Sequence, residues 1–341
     1  MQKEILFRAD GNSEIGLGHL YRLFALVEIY KQQCSFTFLT KKDSVLNIIP
    51  KDYKVITIPE EININEEPYW IEKNFSPSEY IIIADGYQFI SEYQKKIKDL
   101  GYFLIYIDDL VKEHMYADIV VNHSPHVFEN FFYTENYTSL VLGTNYAMLR
   151  PNFLIEAKKP PRNITHVNTV FVNFGGSDSL NLTYKFVESL LSFEQIRSIN
   201  IVIGHAYKQK EIFILKNKFS KRIKIYKNLS ELELIKVMKS SDLAVVPSST
   251  ILFELFCIGI PIYSGYFVDN QKQAFIKFKE TKSVYGKGDF RKFKTQDFKI
   301  ELISLFDELD IKSILNNQKN IIDGNQKRRY LHLINKNCNG K

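Results

Sequence analysis

The chain has 341 residues, 45% of them hydrophobic and 25% charged, with a formal net charge of +6. This composition excludes a disordered chain and suits two folded domains of ordinary size. The lysines are spread along the chain, without the basic and aromatic interleaving of nucleic-acid modules. A solvated basic surface is expected, and no nucleic-acid partner.

The first half alternates short apolar runs with helical patterns. "EILFRAD" reads as a strand ending at Asp10. "LGHLYRLFALVEIYKQ" places Leu20, Leu23, Phe24, Val27 and Tyr30 at helical spacing. "CSFTFLT", "DYKVITI" and "YIIIAD" follow as strands. "ISEYQKKIKDLG" is a helix closed by Gly101. "YFLIYIDD" is a strand ending in Asp108 and Asp109, and "ADIVVNHS" is another. The polar segment 156–166, with Pro160 and Pro161, is the linker candidate. The alternation then restarts through "NTVFVNFGGSD", "LNLTYKFVESLLSF", "SINIVIG", "RIKIYKNL", "ELELIKVMKSS", "DLAVVPSST", "ILFELFCIG" and "IPIYSG". From about Gly286 the chain is lysine-rich with helical stretches and a polar tail. Strands alternating with helices imply parallel sheets covered on both faces. The expected fold is α/β, with two doubly wound Rossmann-like domains, 1–157 and 158–341, facing a central cleft. The second domain carries the helical tail.

Cys34, Cys257 and Cys338 form no CxxC pair, so neither a disulfide framework nor a metal knuckle is expected. The N-terminus enters a strand without a signal layout, and no apolar run reaches the ~18 residues of a membrane span. A cytoplasmic protein is the expectation.

Four stretches carry candidate chemistry. In "GNSEIGLGHLYR" the glycines Gly16 and Gly18 allow backbone to approach a ligand, and a helix start there favours an anion. A dinucleotide fingerprint fails, because Tyr21 stands at its third glycine and the second strand ends without an acid. His19 falls in the first helical turn, whose dipole favours a neutral ring. It reads either as a base or as a polar residue packing the helix start. In "NFGGSDSLN" the pair Gly175 and Gly176 precedes the capping types Ser177, Asp178 and Asn181. In "VPSSTILFEL" Ser248, Ser249 and Thr250 offer hydroxyls at a helix start, with Glu254 one turn on. Both stretches read equally as plain strand-to-helix turns. "FVDNQKQA" offers Asn270 and Gln271 to a polar ligand. Asp108 and Asp109 read as strand-end caps rather than metal or acid groups.

Together these stretches resemble the UDP-2,4-diacetamido-2,4,6-trideoxy-β-L-altropyranose hydrolases of pseudaminic acid biosynthesis, relatives of spore-coat polysaccharide proteins. The resemblance runs through "FRADGNSEIGLGHLYR", "IIIADGYQF", "YIDDLVKEHMYADIVVN", "LVLGTNYAMLRPNF", "VNFGGSD", "DNQ" and "IDGNQKRR". It implies a GT-B-like fold, UDP held by the C-terminal domain, and hydrolysis at the anomeric carbon with no metal or other cofactor. His19 matches the family's proposed catalytic histidine. Asp10, Gly16, Gly18 and Tyr87 fall in its sugar-side loops. Gly175, Gly176, Ser177 and Asp178 match its first C-terminal turn. Ser249, Thr250 and Glu254 match the nucleotide loop and ribose-binding acid, and Asn270 and Gln271 the segment near diphosphate and sugar. The family's glycine pair before that serine is here Pro247 and Ser248, which puts a side chain where backbone would meet phosphate. The implied partner is a small-molecule nucleotide sugar. Oligomeric state stays open, with a monomer as the default. A GT-B glycosyltransferase using a UDP-sugar, or a nucleotide-sugar-binding protein without turnover, are the alternatives.

Overall fold

The computed structural model describes residues 3–12, 15–204, 206–308 and 310–338. The chain divides into two compact units, one running to Pro151 and resuming at Asn325, the other spanning Asn152–Gly324.

The first unit holds nine strands: β1 (Glu4–Ala9), β2 (Phe36–Lys41), β3 (Val55–Ile58), β4 (Tyr80–Asp85), β5 (Phe103–Ile107), β6 (His114–Met115), β7 (Ile119–Asn122), β8 (Tyr133–Thr134) and β9 (Ser139–Leu142). Seven of them form one parallel sheet in the order β3-β2-β1-β4-β5-β7-β9, and β6 pairs with β8 apart from it. Its first helices are α1 (Gly18–Tyr30), α2 (Glu67–Asn74) and α3 (Ser91–Asp99). Side chains alternate across β1, as the strand period of two requires. Ile5, Phe7 and Ala9 enter the core with Leu20, Leu23, Phe24, Val27 and Tyr30 of α1. Leu6 enters the opposite core with Ile71 of α2 and Tyr93 and Ile97 of α3. The sheet is thus apolar on both faces, which explains its continuous rather than alternating hydrophobic runs.

The second unit repeats the design. Its strands are β10 (Thr169–Val172), β11 (Ser198–Ile203), β12 (Ile223–Lys227), β13 (Leu243–Pro247), β14 (Ile262–Tyr266) and β15 (Tyr285–Asp289), ordered β12-β11-β10-β13-β14-β15, all parallel. Its helices are α4 (Pro151–Ala157), α5 (Leu182–Leu190), α6 (Glu211–Lys218), α7 (Glu231–Lys239), α8 (Ile251–Ile258), α9 (Lys272–Glu280), α10 (Thr295–Glu308) and α11 (Ile311–Ile321). Phe186 of α5 and Phe298 and Leu302 of α10 pack with Val170 and Val172 of β10. Ser230 and Glu233 start α7 with a reciprocal capping box.

Two features depart from the sequence reading. The proline-rich segment 156–166 lies inside the second unit rather than between units. Just before it, Asn152 donates through its backbone and side chain to Glu231, at 3.0 and 2.8 Å, and within it Arg162 donates to the Ser241 carbonyl at 2.9 Å. Its prolines mark irregular chain, not a joint. The last helix, α12 (Gln326–Cys338), packs with the first unit, not the second. There Tyr330 and Ile334 are buried with Phe7, Val27 and Tyr30, and Tyr30 donates its hydroxyl to the Tyr330 carbonyl at 2.9 Å. The Tyr330 hydroxyl in turn donates to the Tyr146 carbonyl. Tyr330→Ala is therefore expected to destabilise the first unit by about 3–5 kcal/mol, the usual cost of emptying a large aromatic site. Urea unfolding followed by Trp70, the single tryptophan and a residue of that unit, measures it.

Candidate active site

In a doubly wound sheet, ligands bind beyond the carboxyl ends of the strands where the strand order reverses. In the first unit that point lies between β1 and β4, which end at Ala9 and Asp85 in register with each other. Residue Asp10 and the loop to α1 follow β1 there. His19 stands in the first turn of α1 and is 5% exposed. Its Nδ1 lies 2.6 Å from Oδ1 of Asp85, which is fully buried. Arg22, one turn on, donates to both oxygens of Asp85, at 2.8 and 2.6 Å. Its remaining Nη1 donates to both oxygens of Asp109, at 2.5 and 2.6 Å. Arg22 Nη2 also sits 2.8 Å from His19 Nδ1.

These distances fix the imidazole tautomer. An ionised carboxylate only accepts hydrogen bonds, so at 2.6 Å the Nδ1 atom must carry the proton and donate it to Asp85. The close Arg22 nitrogen is then a neighbour rather than a donor to Nδ1. The lone pair is left on Nε2. Tyr87, 44% exposed, sets its ring edge-on to His19 with centroids 4.6 Å apart. Burial would raise Asp109, but Arg22 holds its carboxyl below the usual range. His123, buried beyond β7, is pushed down to about 4 by burial and by the Arg22 cation, so it stays neutral near pH 7.

A second network fills the same edge. Arg8 is fully buried and bridges Asp10, at 2.5 and 2.8 Å, and Glu67, at 2.7 and 2.9 Å. Asp10 further accepts from the Lys41 backbone at 2.7 Å and from the side chains of Thr40 and Gln88 at 3.2 and 3.0 Å. Burial opposes ionisation of Asp10, yet Arg8 and these donors hold its carboxyl below the usual range. Asp10 is thus a buried anchor of the loop rather than an open ligand. Gly16 carries a φ of +85°, where a side chain would be strained, and Gly18 opens α1, whose start has no side-chain cap. The sequence reading of Asp108 and Asp109 splits. Asp108 caps its turn, accepting from the backbone of Leu110 and Val111 and from Asn122. Asp109 joins Arg22 instead.

In the second unit the strand order reverses between β10 and β13, and the two glycine–serine turns follow those strands. Gly175, Gly176 and Ser177 are exposed. Asp178 is buried, and its two oxygens accept from the backbone of Leu182 and Thr183 at 2.8 Å each. Its carboxylate therefore shapes the start of α5. Gly204 packs so closely that a Cβ there would lie 2.3 Å from the Gly176 Cα. The Pro247–Ser248 departure is resolved by orientation. Ser248 is buried, and its hydroxyl meets that of Ser264 at 2.9 Å, inside the sheet. The outer face of the loop is left to Ser249 and exposed Thr250, at the uncapped start of α8, with Glu254 half-buried in its first turn. Asn270 is exposed, while Gln271 accepts from the Phe267 backbone at 3.2 Å and closes its own turn. No three His, Cys, Asp or Glu side chains among the described residues are placed to hold a metal ion. No described helix is long and apolar enough to cross a membrane.

Two parallel sheets, each with its candidate loops at the reversal point, define a GT-B-like protein. The solved structure of MurG from Acinetobacter baumannii superposes with a TM-score of 0.67, covering 98% of this chain and 99% of that one at 13% identity. The calicheamicin glycosyltransferase CalG4 gives 0.65, covering 98% and 99% at 10% identity. Among curated proteins, the chain is similar to an uncharacterized protein of Methanocaldococcus jannaschii, 31% identical over 285 residues. That match covers 80% of this chain and 57% of the archaeal protein, so the chain spans little more than half of that relative. It is 28% identical to the spore coat polysaccharide biosynthesis protein SpsG of Bacillus subtilis, over 74% of each chain. It is 25% identical over 277 residues to the UDP-2,4-diacetamido-2,4,6-trideoxy-β-L-altropyranose hydrolase of Campylobacter jejuni, covering 79% of this chain and 93% of that one. No family model matches.

The sequence reading missed Asp85, Arg22, His123, Arg8 and Glu67. Asp85 had one signal, a carboxylate closing the apolar strand "YIIIAD". Arg22 had another, a cation on the same helical face as His19. Arg8→Met would leave two buried carboxylates without their cation and is expected to destabilise the first unit by about 3–5 kcal/mol at pH 7. The folded state depresses the Asp10 carboxyl, so its stabilisation is present above ~pH 4 and lost as pH falls through the lower folded value. Urea unfolding followed by Trp70 is expected to show the gap between variant and wild type narrowing towards about pH 3.

Proposed function

We propose that the protein hydrolyses a UDP-linked sugar at its anomeric carbon, and that the sugar is of the 2,4-diacetamido-2,4,6-trideoxy-altropyranose class made for surface glycans. The observation that carries this reading is His19: its Nδ1 is committed to Asp85, and its Nε2 is left as a base at the mouth of a glycine loop. The similarity to the Campylobacter jejuni hydrolase, over nearly all of that protein, supports the substrate class.

On this reading Nε2 of His19 takes a proton from water while the water oxygen bonds to the anomeric carbon. The bond from that carbon to the β-phosphate oxygen breaks, and its electron pair leaves with UDP. Asp85 holds the ring and balances the imidazolium until the proton passes to solvent. Diphosphate is a good leaving group, so a strong general acid is not needed. The backbone donors of the turn at Gly175–Ser177 and of the α8 start meet the developing charge. Ser249, Thr250 and Glu254 hold the nucleoside side. In the first unit Tyr87 and the loop from Gly16 to Gly18 are the proposed sugar contacts; in the second, Asn270 and Gln271 are the proposed diphosphate contacts.

The purified protein, incubated in EDTA with UDP-2,4-diacetamido-2,4,6-trideoxy-β-L-altropyranose, is expected to release UDP and free sugar in equal amounts, followed by NMR. His19→Ala is expected to lower the rate by about 10²–10⁴-fold, the usual contribution of a general base, while UDP binding persists. A wild-type rate in that variant would remove His19 from the mechanism. Release of UDP only with an added acceptor would assign a glycosyltransferase. Binding of UDP-sugar with no turnover would assign a carrier. Gly204→Ala pushes the Gly176 backbone aside and is expected to weaken UDP binding by about tenfold, some 1.4 kcal/mol, in a calorimetric titration.

A further inference from the structure

The groups around His19 have an unusual charge count. From α1 comes Arg22; from the end of β4, Asp85; from the end of β5, Asp109; from beyond β7, His123. Tyr87 sets its ring against His19, and burial keeps the hydroxyls of Tyr106 and Tyr330 uncharged near pH 7. Asp108, beside Asp109, is bound to its own turn and to Asn122, and burial raises its carboxyl. His123 is neutral there as well. Two carboxylates therefore share one guanidinium, and the cluster keeps one negative charge while the His19 ring is neutral. A proton on that ring brings the cluster to zero.

Arg22 alone would work against this. Its guanidinium lies against Asp85 and within 2.8 Å of His19 Nδ1, so its full charge would repel an imidazolium. Asp109 meets it from the other side with two bonds through Nη1. We infer that Asp109, which does not touch the ring, sets how readily His19 takes up a proton, by offsetting the charge of the Arg22 guanidinium that bonds Asp85 and lies beside the imidazole. Asp109 is thus a positioning residue acting through Arg22. The inference deepens the proposed function and rests on His19 being its base, but the coupling itself can be read without substrate.

The test uses the full chain with ring-labelled histidine. The His19 signal is assigned by its loss in His19→Gln, and its NMR titration is compared in wild type, Asp109→Asn and Asp109→Ser, with Asp109→Glu as the conservative variant. Removing the charge is expected to move the His19 midpoint to lower pH by about one unit, a tenfold loss of proton affinity, and Asp109→Glu to restore it. The acid limb of the UDP-release profile is expected to move to lower pH by the same amount. Two variants guard against one that fails to fold, and circular dichroism identifies it. A midpoint unmoved in the folded variants, even with a slower rate, would mark Asp109 as structural and overturn the inference. A midpoint that moves while His19→Gln keeps its activity would leave the coupling standing and overturn the base assignment instead.

Discussion

The Asp85 carboxylate is the contact on which the first unit's chemistry depends. It is buried, it ends a central strand, and it accepts from an imidazole and a guanidinium at once. Its place follows from the sheet. Parallel strands deliver all their carboxyl ends to one edge, and the register of β1, β4, β5 and β7 brings Asp10, Asp85, Asp109 and His123 to that edge from four separate stretches of chain. A carboxylate so deep is tolerated because cations and donors meet both its oxygens.

The edge carries two networks of the same formal kind, each with one arginine between two carboxylates. Their remaining partners differ. Around Arg8, the surplus negative charge is met by the Lys41 backbone, Thr40, Gln88 and the hydroxyl of Tyr93, so the network is closed. Around Arg22, the surplus faces an ionisable ring. The first arrangement locks a loop in place, and the second leaves an ionisable ring as its outer member. The distinction lies in the fourth partner and not in the charged triad itself.

Much of the architecture was legible in the sequence. Strand and helix alternation gave two parallel sheets, and the helical spacing of Leu20 to Tyr30 gave the buried face of α1. The glycine turns and His19 were visible because local geometry demands particular residues there. What stayed hidden was pairing at a distance. Arg22 meets carboxylates 63 and 87 residues away, and no local pattern announces which strand end faces which helix. Ser248 was misread for a related reason, since only the neighbouring strand, with Ser264, shows which way its hydroxyl turns. Prolines suggested a domain joint at 156–166 because irregular backbone and domain boundaries share the same composition.

The return of α12 to the first unit fixes an order of assembly. A ribosome completes residues 152–324, the whole second unit, before it supplies Tyr330 and Ile334 to the core of the first. Until then the first core lacks its last wall, and the sheet that presents His19, Asp85 and Arg22 is unfinished. The second unit can therefore fold before the core of the first is closed. The half that holds the Asp85 contacts begins before the other half in sequence and is completed after it.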